Sequence, residues 1–261
     1  MSIKDLLTEV EEQKDKGSLA IDLDSILFFS AYAFRENWNV ELAYADVMER
    51  IGSIKQASYT HLSHIEEVAL CLTSKTNFRY ELYPEYKANR KTDDEKAIEL
   101  SNRVKELKRM IMVRLKPLVR VSSVWEADDI VVQLADKGWI VSAMDKDIVN
   151  ACPTPCYQYK KREWYESKTK DEISEWYLIQ SVAGDSGDGI KGVKGKGMVG
   201  ATKFVKELLD GKKSFDEYVD LFDTPAECLL MNRLVRMNQY EGNKLKLITI
   251  KEIADSIPSD F

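Results

Sequence analysis

Short apolar runs that stop at or just before an acid are the feature of this chain that most restricts its fold. S-L-A-I-D at residues 18–22 is one such run, and the apolar stretch 26–34 follows it. E-E-V-A-L-C-L-T at 66–73, the segment 118–124, and 139–144 with Asp145 behind it read as further buried strands. Residues 40–58 and 128–137 carry helical periodicity between them. Strands that alternate with helices predict an α/β fold, a twisted and mostly parallel sheet flanked by helices. In such a sheet ligands gather beyond the carboxyl ends of the strands, so acids placed there are candidates for one shared site.

The chain has 261 residues and 30.0 kDa, enough for one large domain or two small ones. Its 31% charged residues and mean hydropathy of -0.36 exclude wholesale disorder. No apolar run reaches the 18 residues a membrane span needs and the start lacks a signal-peptide core, so the expected location is cytoplasmic, with no membrane partner. Cysteines at 71, 152, 156 and 228 are too few and scattered for a disulfide framework. C-P-T-P-C at 152–156 reads as a Pro-rich turn in preference to a metal clip, and H-L-S-H at 61–64 as a solvated helix face. With only two histidines, chemistry that leans on imidazole is disfavoured. Carboxylates are the alternative: 44 Asp and Glu stand against 38 Lys and Arg, a net charge of -6 that argues against a simple DNA-coating protein.

Charge is unevenly spread. A long insertion over 77–116 opens with aromatics and bases and continues as a polar helix pattern at 95–115; within 79–116, 11 Lys and Arg face 7 acids. Residues 189–213 hold 7 Lys against 2 acids. The stretch 215–261 reads as helices with a breaker at Pro225 and a short tail.

Four acidic clusters stand out: Asp22 with Asp24, Glu126 with Asp128 and Asp129, Asp145 with Asp147, and Asp185 with Asp188. Helix capping accounts for part of this. Three of the clusters fall at expected strand ends or the helix starts that follow, and a fold that gathers so many anions requires cations. Magnesium or manganese suits oxygen ligands. Two such ions about 4 Å apart suit phosphodiester hydrolysis, and surplus acids would hold water instead of metal.

Six glycines, at 184, 187, 189, 192, 195 and 197, fall within fourteen residues, interleaved with lysines. That density suits a backbone that turns sharply and approaches phosphate closely. It matches neither a Walker loop nor a dinucleotide fingerprint. G-D-S-G around Ser186 mimics a protease nucleophile, but nothing supplies the histidine setting that chemistry needs.

These motifs, in this order, resemble the FEN-type 5′ nucleases and most closely the stand-alone bacteriophage 5′-exonucleases, over roughly residues 17–240. The resemblance is carried by Asp22, by N-F-R-Y-E-L-Y-P-E-Y-K-A-N-R at 77–90, by E-A-D-D at 126–129, M-D-K-D at 144–147 and G-D-S-G-D-G-I-K-G-V-K-G-K-G at 184–197. It implies a nuclease core over 1–180 that includes a helical arch at about 77–116, and a helical DNA-binding region over 181–261 with a helix-three-turn-helix element. It implies metal ligands at Asp22, Glu126, Asp128, Asp129, Asp145, Asp147, Asp185 and Asp188, holding two Mg2+ that Mn2+ replaces, with K+ at the helix-three-turn-helix element. Lys87 and Arg90 would meet the scissile phosphate, Tyr86 would stack on a terminal base and Arg79 would make a further phosphate contact. Gly192, Gly195 and Gly197 with Lys194, Lys196 and Lys203 would grip duplex phosphates.

The implied activity is a 5′ to 3′ exonuclease that also cuts 5′ flaps and removes RNA primers. It would act as a monomer on DNA with 5′ ends or flaps and on RNA/DNA hybrids, beside a replication polymerase. One position departs from the pattern: where the family has an aspartate at the end of the second strand, this chain has Ser74. That departure keeps open a binding protein of the same fold that has lost catalysis; a PIN-like ribonuclease is the other alternative.

Overall fold

A computed structural model describes residues 16–90 and 92–257; the first fifteen residues, residue 91 and the last four lie outside the described residues. The chain divides into two compact units. One ends at Lys75 and resumes over Asp93–Ser167; the other comprises Thr76–Thr92 and the chain from Lys168. This differs from the division expected at 180/181, because the whole helix Lys170–Ala183 and the segment Thr76–Thr92 belong to the second unit.

The first unit is built on β1 (Lys16–Asp22), α1 (Asp24–Ala33), α2 (Val40–Ser58), β2 (His64–Thr73), α3 (Glu95–Arg114), β3 (Val119–Ser122), α4 (Ala127–Ala135), β4 (Ile140–Ser142), α5 (Lys146–Ala151), β5 (Cys156–Gln158) and β6 (Glu163–Tyr165). The six strands lie in the order β3-β2-β1-β4-β5-β6. The first five are mutually parallel and only β6 runs antiparallel to its neighbour. Central position explains the unbroken apolar run of β1: Leu19, Ala20 and Ile21 are fully buried, as a strand covered on both faces must be. Over it pack Ala43, Val47, Ile51 and Ile54 of α2, which recur at helical spacing, and Leu107 and Ile111, the buried stripe of the otherwise polar α3. Each Val, Leu or Ile among them contributes roughly 1.5 to 3 kcal/mol by leaving water. Asn39 and Asp94 cap α2 and α3 by accepting amide protons of their first turns.

Strands β5 and β6 were not anticipated. Three-residue strands behind Pro153 and Pro155 offer no period to detect, and the expected turn occupies only the residues before Cys156. H-L-S-H also differs from expectation: His61 lies in the turn after α2, against the Trp164 ring at 4.1 Å, and His64 opens β2. The four cysteines are free and buried.

The second unit contains the short helix Phe78–Leu82, α6 (Lys170–Ala183), α7 (Met198–Leu209), α8 (Phe215–Val219), α9 (Pro225–Val235), a hairpin of β7 (Tyr240–Glu241) and β8 (Lys244–Leu245), and α10 (Ile250–Asp255). Helix α6 starts at a Thr169/Glu172 capping box and packs against α7 and α9. Its Ser181 hydroxyl lies 2.7 Å from the buried Tyr218 hydroxyl, which also accepts from Asn232 Nδ2 at 2.8 Å. Among the described residues no helix is long and apolar enough to cross a membrane.

Candidate active site

From β1 the chain moves outward through β2 to β3, then returns to the other side of β1 to build β4 and β5. The boundary between β1 and β4 is therefore the switch point of the sheet, where a crevice opens beyond the strand ends. Asp22 is the last residue of β1, and Asp145, three residues past β4, caps α5 by accepting the Asp147 amide at 2.8 Å. Asp22 is only 2% exposed. Burial, followed by the charges of Asp24 and then Asp145, pushes its carboxyl from the ordinary 3.8 up to about 7, although it accepts from the Ser25 hydroxyl at 3.2 Å and the Asp24 amide at 3.3 Å. The sheet thus holds a carboxylate where its own neighbours oppose ionisation.

The E-A-D-D acids stand at the start of α4, beside the end of β2. Glu126 and Asp129 are buried; Asp129 reaches back to accept the Glu126 amide at 2.9 Å, one arm of a capping box. The Ala127 amide donates to Thr73 Oγ1 at 2.9 Å and so ties the start of α4 to the end of β2. Asp128 and Asp147 are half-buried. Capping and metal ligation are compatible, since a carboxylate has two oxygens. Among the described residues no three His, Cys, Asp or Glu side chains form a ready metal cage. The donor set nevertheless fits a hard divalent cation: it is all oxygen, and the charges of Asp24 and Asp145 oppose the ionisation of Asp22.

A pH dependence follows. A carboxyl whose folded pKa is raised stabilises the fold below its unfolded value and loses that contribution as pH climbs through the folded one; for 3.8 and about 7 the loss is on the order of 4 kcal/mol. In EDTA, wild-type protein should therefore lose a few kcal/mol more stability between pH 5 and pH 8 than Asp22→Asn. Denaturant titrations of both at the two pH values check this, and parallel losses would contradict it.

In the second unit the glycine cluster forms a tight loop after α6. Asp185 and Ile190 exchange backbone hydrogen bonds at 2.8 Å, and Asp185 Oδ1 accepts the Gly187 amide at 2.7 Å. Gly184 (φ 72°) and Gly192 (φ 61°) sit back to back; a Cβ on Gly192 would lie 2.4 Å from the Gly184 nitrogen. Close approach was expected here, and at these two positions the thing approached is the chain itself.

The segment 83–90 clasps this loop. Tyr86 donates to Asp188 Oδ2 at 2.8 Å, Lys87 Nζ lies 3.6 Å from the same oxygen, and Arg90 pairs with Asp188 Oδ1. The Lys87 amide donates to the Asp188 carbonyl at 2.8 Å, with Lys87 in the left-handed region at φ 55°. Asp188 thus gathers the aromatic and both basic candidates of the 77–90 motif. Tyr86 itself is buried, edge-on to Tyr80 at 5.4 Å and with Lys87 Nζ 4.9 Å from its ring centre, so packing replaces the base-stacking role expected of it. Arg79 is also corrected. It is 3% exposed and donates to the carbonyls of Leu234 and Arg236 at 2.8 and 2.9 Å, which makes it a clamp on the end of α9 and not a phosphate contact. Lys194, Gly195, Gly197 and Lys203 are exposed, Lys196 lies over the Phe204 ring at 5.5 Å, and Gly197 opens α7.

Two side chains near these acids lie outside the candidate set. Asp24 stands in the first acid cluster yet lies outside the set the resemblance carries over; Lys108, which it pairs with at 3.0 Å, is 84 residues away and has no sequence signal.

The fold is an α/β core with acids at the switch point of its sheet. Comparison with known proteins agrees. The model for the 5′-3′ exonuclease N-terminal, resolvase-like domain matches residues 18–178, more than half of the chain, which therefore belongs to the 5′-3′ exonuclease family and is a nuclease of that kind. The chain is 25% identical over 229 residues to the flap endonuclease of Escherichia phage T5, covering 70% of this chain and 76% of that one. It is 26% identical over 204 residues to the exodeoxyribonuclease of Enterobacteria phage T3, covering 70% and 64%. A crystal structure of the bacteriophage T5 flap endonuclease in a pseudo-enzyme-product complex with DNA and metal ions shares the fold, with a TM-score of 0.64, 18% identity and coverage of 92% and 97%.

Proposed function

We propose that the chain is a divalent-metal-dependent 5′ to 3′ exonuclease that also cuts 5′ flaps and removes RNA primers during phage-type DNA replication. The observation that carries this is the position of Asp22 and Asp145 at the sheet's switch point, with Asp22 buried among like charges. Two Mg2+ are the proposed cofactors, with Mn2+ as substitute. When bound, they would offset charge on the phosphodiester and lower the pKa of the attacking water. Asp22 and Asp145 would hold them directly, while Glu126, Asp128, Asp129 and Asp147 would ligate or orient water, Glu126 and Asp129 being held by their capping box. Asp185 and Asp188 complete the proposed ligand set on the strength of the family resemblance.

Lys87 and Arg90 supply positive charge toward the phosphate, and their present pairing with Asp188 keeps both side chains ordered without substrate. Lys194, Lys196 and Lys203 with the amides around Gly192, Gly195 and Gly197 would hold duplex phosphates, with K+ as a helper. Contacts of that kind make binding fall steeply with salt.

A duplex with a 5′-labelled flap, incubated with purified protein in Mg2+ and in EDTA, tests the proposal. Release of short labelled fragments in Mg2+ alone is the expected result. Binding without cleavage would favour the catalytically impaired alternative, and preference for an all-RNA duplex would favour the ribonuclease.

A further inference from the structure

The second strand ends at Thr73, and Ser74, which follows it, brings no charge to that edge of the crevice. The structure brings a carboxylate to the same place from another element. Asp24, in the first turn of α1, accepts the Thr73 amide through Oδ2 at 2.8 Å, which seats its side chain at the carboxyl end of β2. Its own amide donates to Asp22 Oδ1 at 3.3 Å, so one acid spans the ends of both β1 and β2. The other oxygen of Asp24 takes Lys108 Nζ from α3 at 3.0 Å, and the same ammonium bonds the Thr73 carbonyl. Lys108 is 22% exposed and Asp24 34%, so the pair is partly screened and open to exchange with solvent cations.

We propose that Asp24 stands in for the acid absent at position 74 as a cation-positioning residue, and that Lys108 is a built-in counter-cation that competes with the divalent ion for it. The proposal rests on the reading of the first-unit acids as cation ligands. A cluster of Asp22, Asp24 and Lys108 has one negative charge fewer to offer a metal than the two acids alone. Removing the ammonium should therefore strengthen divalent binding, and removing Asp24 should weaken it. At the separations involved each unit charge is worth about tenfold or more in affinity, even with generous screening. An acid placed at 74 should restore what Asp24→Asn loses, because both would deliver charge to the end of β2.

The test is Mn2+ binding to the full chain without DNA, read from the electron paramagnetic resonance of free Mn2+, with circular dichroism as the check on folding. The variants are Asp22→Asn, Asp24→Asn, Ser74→Asp with Asp24→Asn, and Lys108→Met. Expected are about tenfold weaker binding for Asp24→Asn, recovery in the double variant, and about tenfold tighter binding for Lys108→Met. If Asp22→Asn weakens Mn2+ binding while Asp24→Asn binds as wild type does, the role of Asp24 is overturned and the metal site stands. Failure of Ser74→Asp to restore binding, or weaker binding by Lys108→Met, also overturns it. If wild type takes up no Mn2+, or Asp22→Asn binds as tightly as wild type, the metal reading itself is overturned.

Discussion

Asp145→Asn is expected to lose at least about a hundredfold in cleavage rate, because the electrostatic support a metal gives a phosphoryl group is worth several kcal/mol and each 1.36 kcal/mol is tenfold. The substitution is mild for the fold. Asp145 caps α5 through Oδ1, and asparagine keeps an oxygen there to accept the Asp147 amide. What disappears is one of the charges that Asp22 feels. Duplex binding, attributed to the lysines after the glycine loop, should persist, so the variant separates binding from chemistry. Single-turnover cleavage of a labelled flap duplex in Mg2+, beside a binding titration, measures both. Turnover like that of wild type would refute a catalytic role for the strand-end acids.

Gly192→Ala should destabilise the second unit by about 3 kcal/mol or more, the sum of a side chain forced to φ > 0 and an overlap with backbone that cannot swing away. Its Cβ would meet the Gly184 nitrogen at 2.4 Å, the Ala183 carbonyl carbon at 2.6 Å and the Val182 oxygen at 2.7 Å. Gly184→Ala meets the mirror of this problem, 2.5 Å from the Ile190 oxygen. Gly197 is the control: nothing lies within 4 Å of its Cβ position and its φ is -75°, so Gly197→Ala should cost under about 1 kcal/mol. Calorimetric unfolding of the three variants distinguishes them. Equal stability of Gly192→Ala and Gly197→Ala would contradict the back-to-back packing of the loop. If Gly197→Ala is stable yet binds duplex more weakly, the glycines divide into one set that serves the fold and one that serves the ligand.

In the sequence those glycines look alike, and the reason is physical. Composition reports that a backbone needs freedom, but not whether its near neighbour is a phosphate or its own chain. The strands that end in acids were legible because burial on both faces demands the unbroken run of β1, and because the carboxyl end of a parallel strand is where α/β proteins place polar groups. Helix α2 matched its expected range for a similar reason, a regular apolar stripe. Strands β5 and β6 lack any such period. Arg79 and Tyr86 show a different limit: a motif fixes which residues occur together, while burial decides whether a guanidinium or a ring faces a ligand or the core. Asp24 and Lys108 mark the same limit from the other side, since their pairing arises from the packing of α3 beside α1 and has no local trace.

The most direct measurement is anomalous diffraction from crystals grown with Mn2+. The account predicts manganese peaks bonded to Asp22 oxygens at the β1 end, with Asp145 facing the same ions. Manganese found only at other carboxylates, or absent beside Asp22 and Asp145 at concentrations that support cleavage, would contradict it.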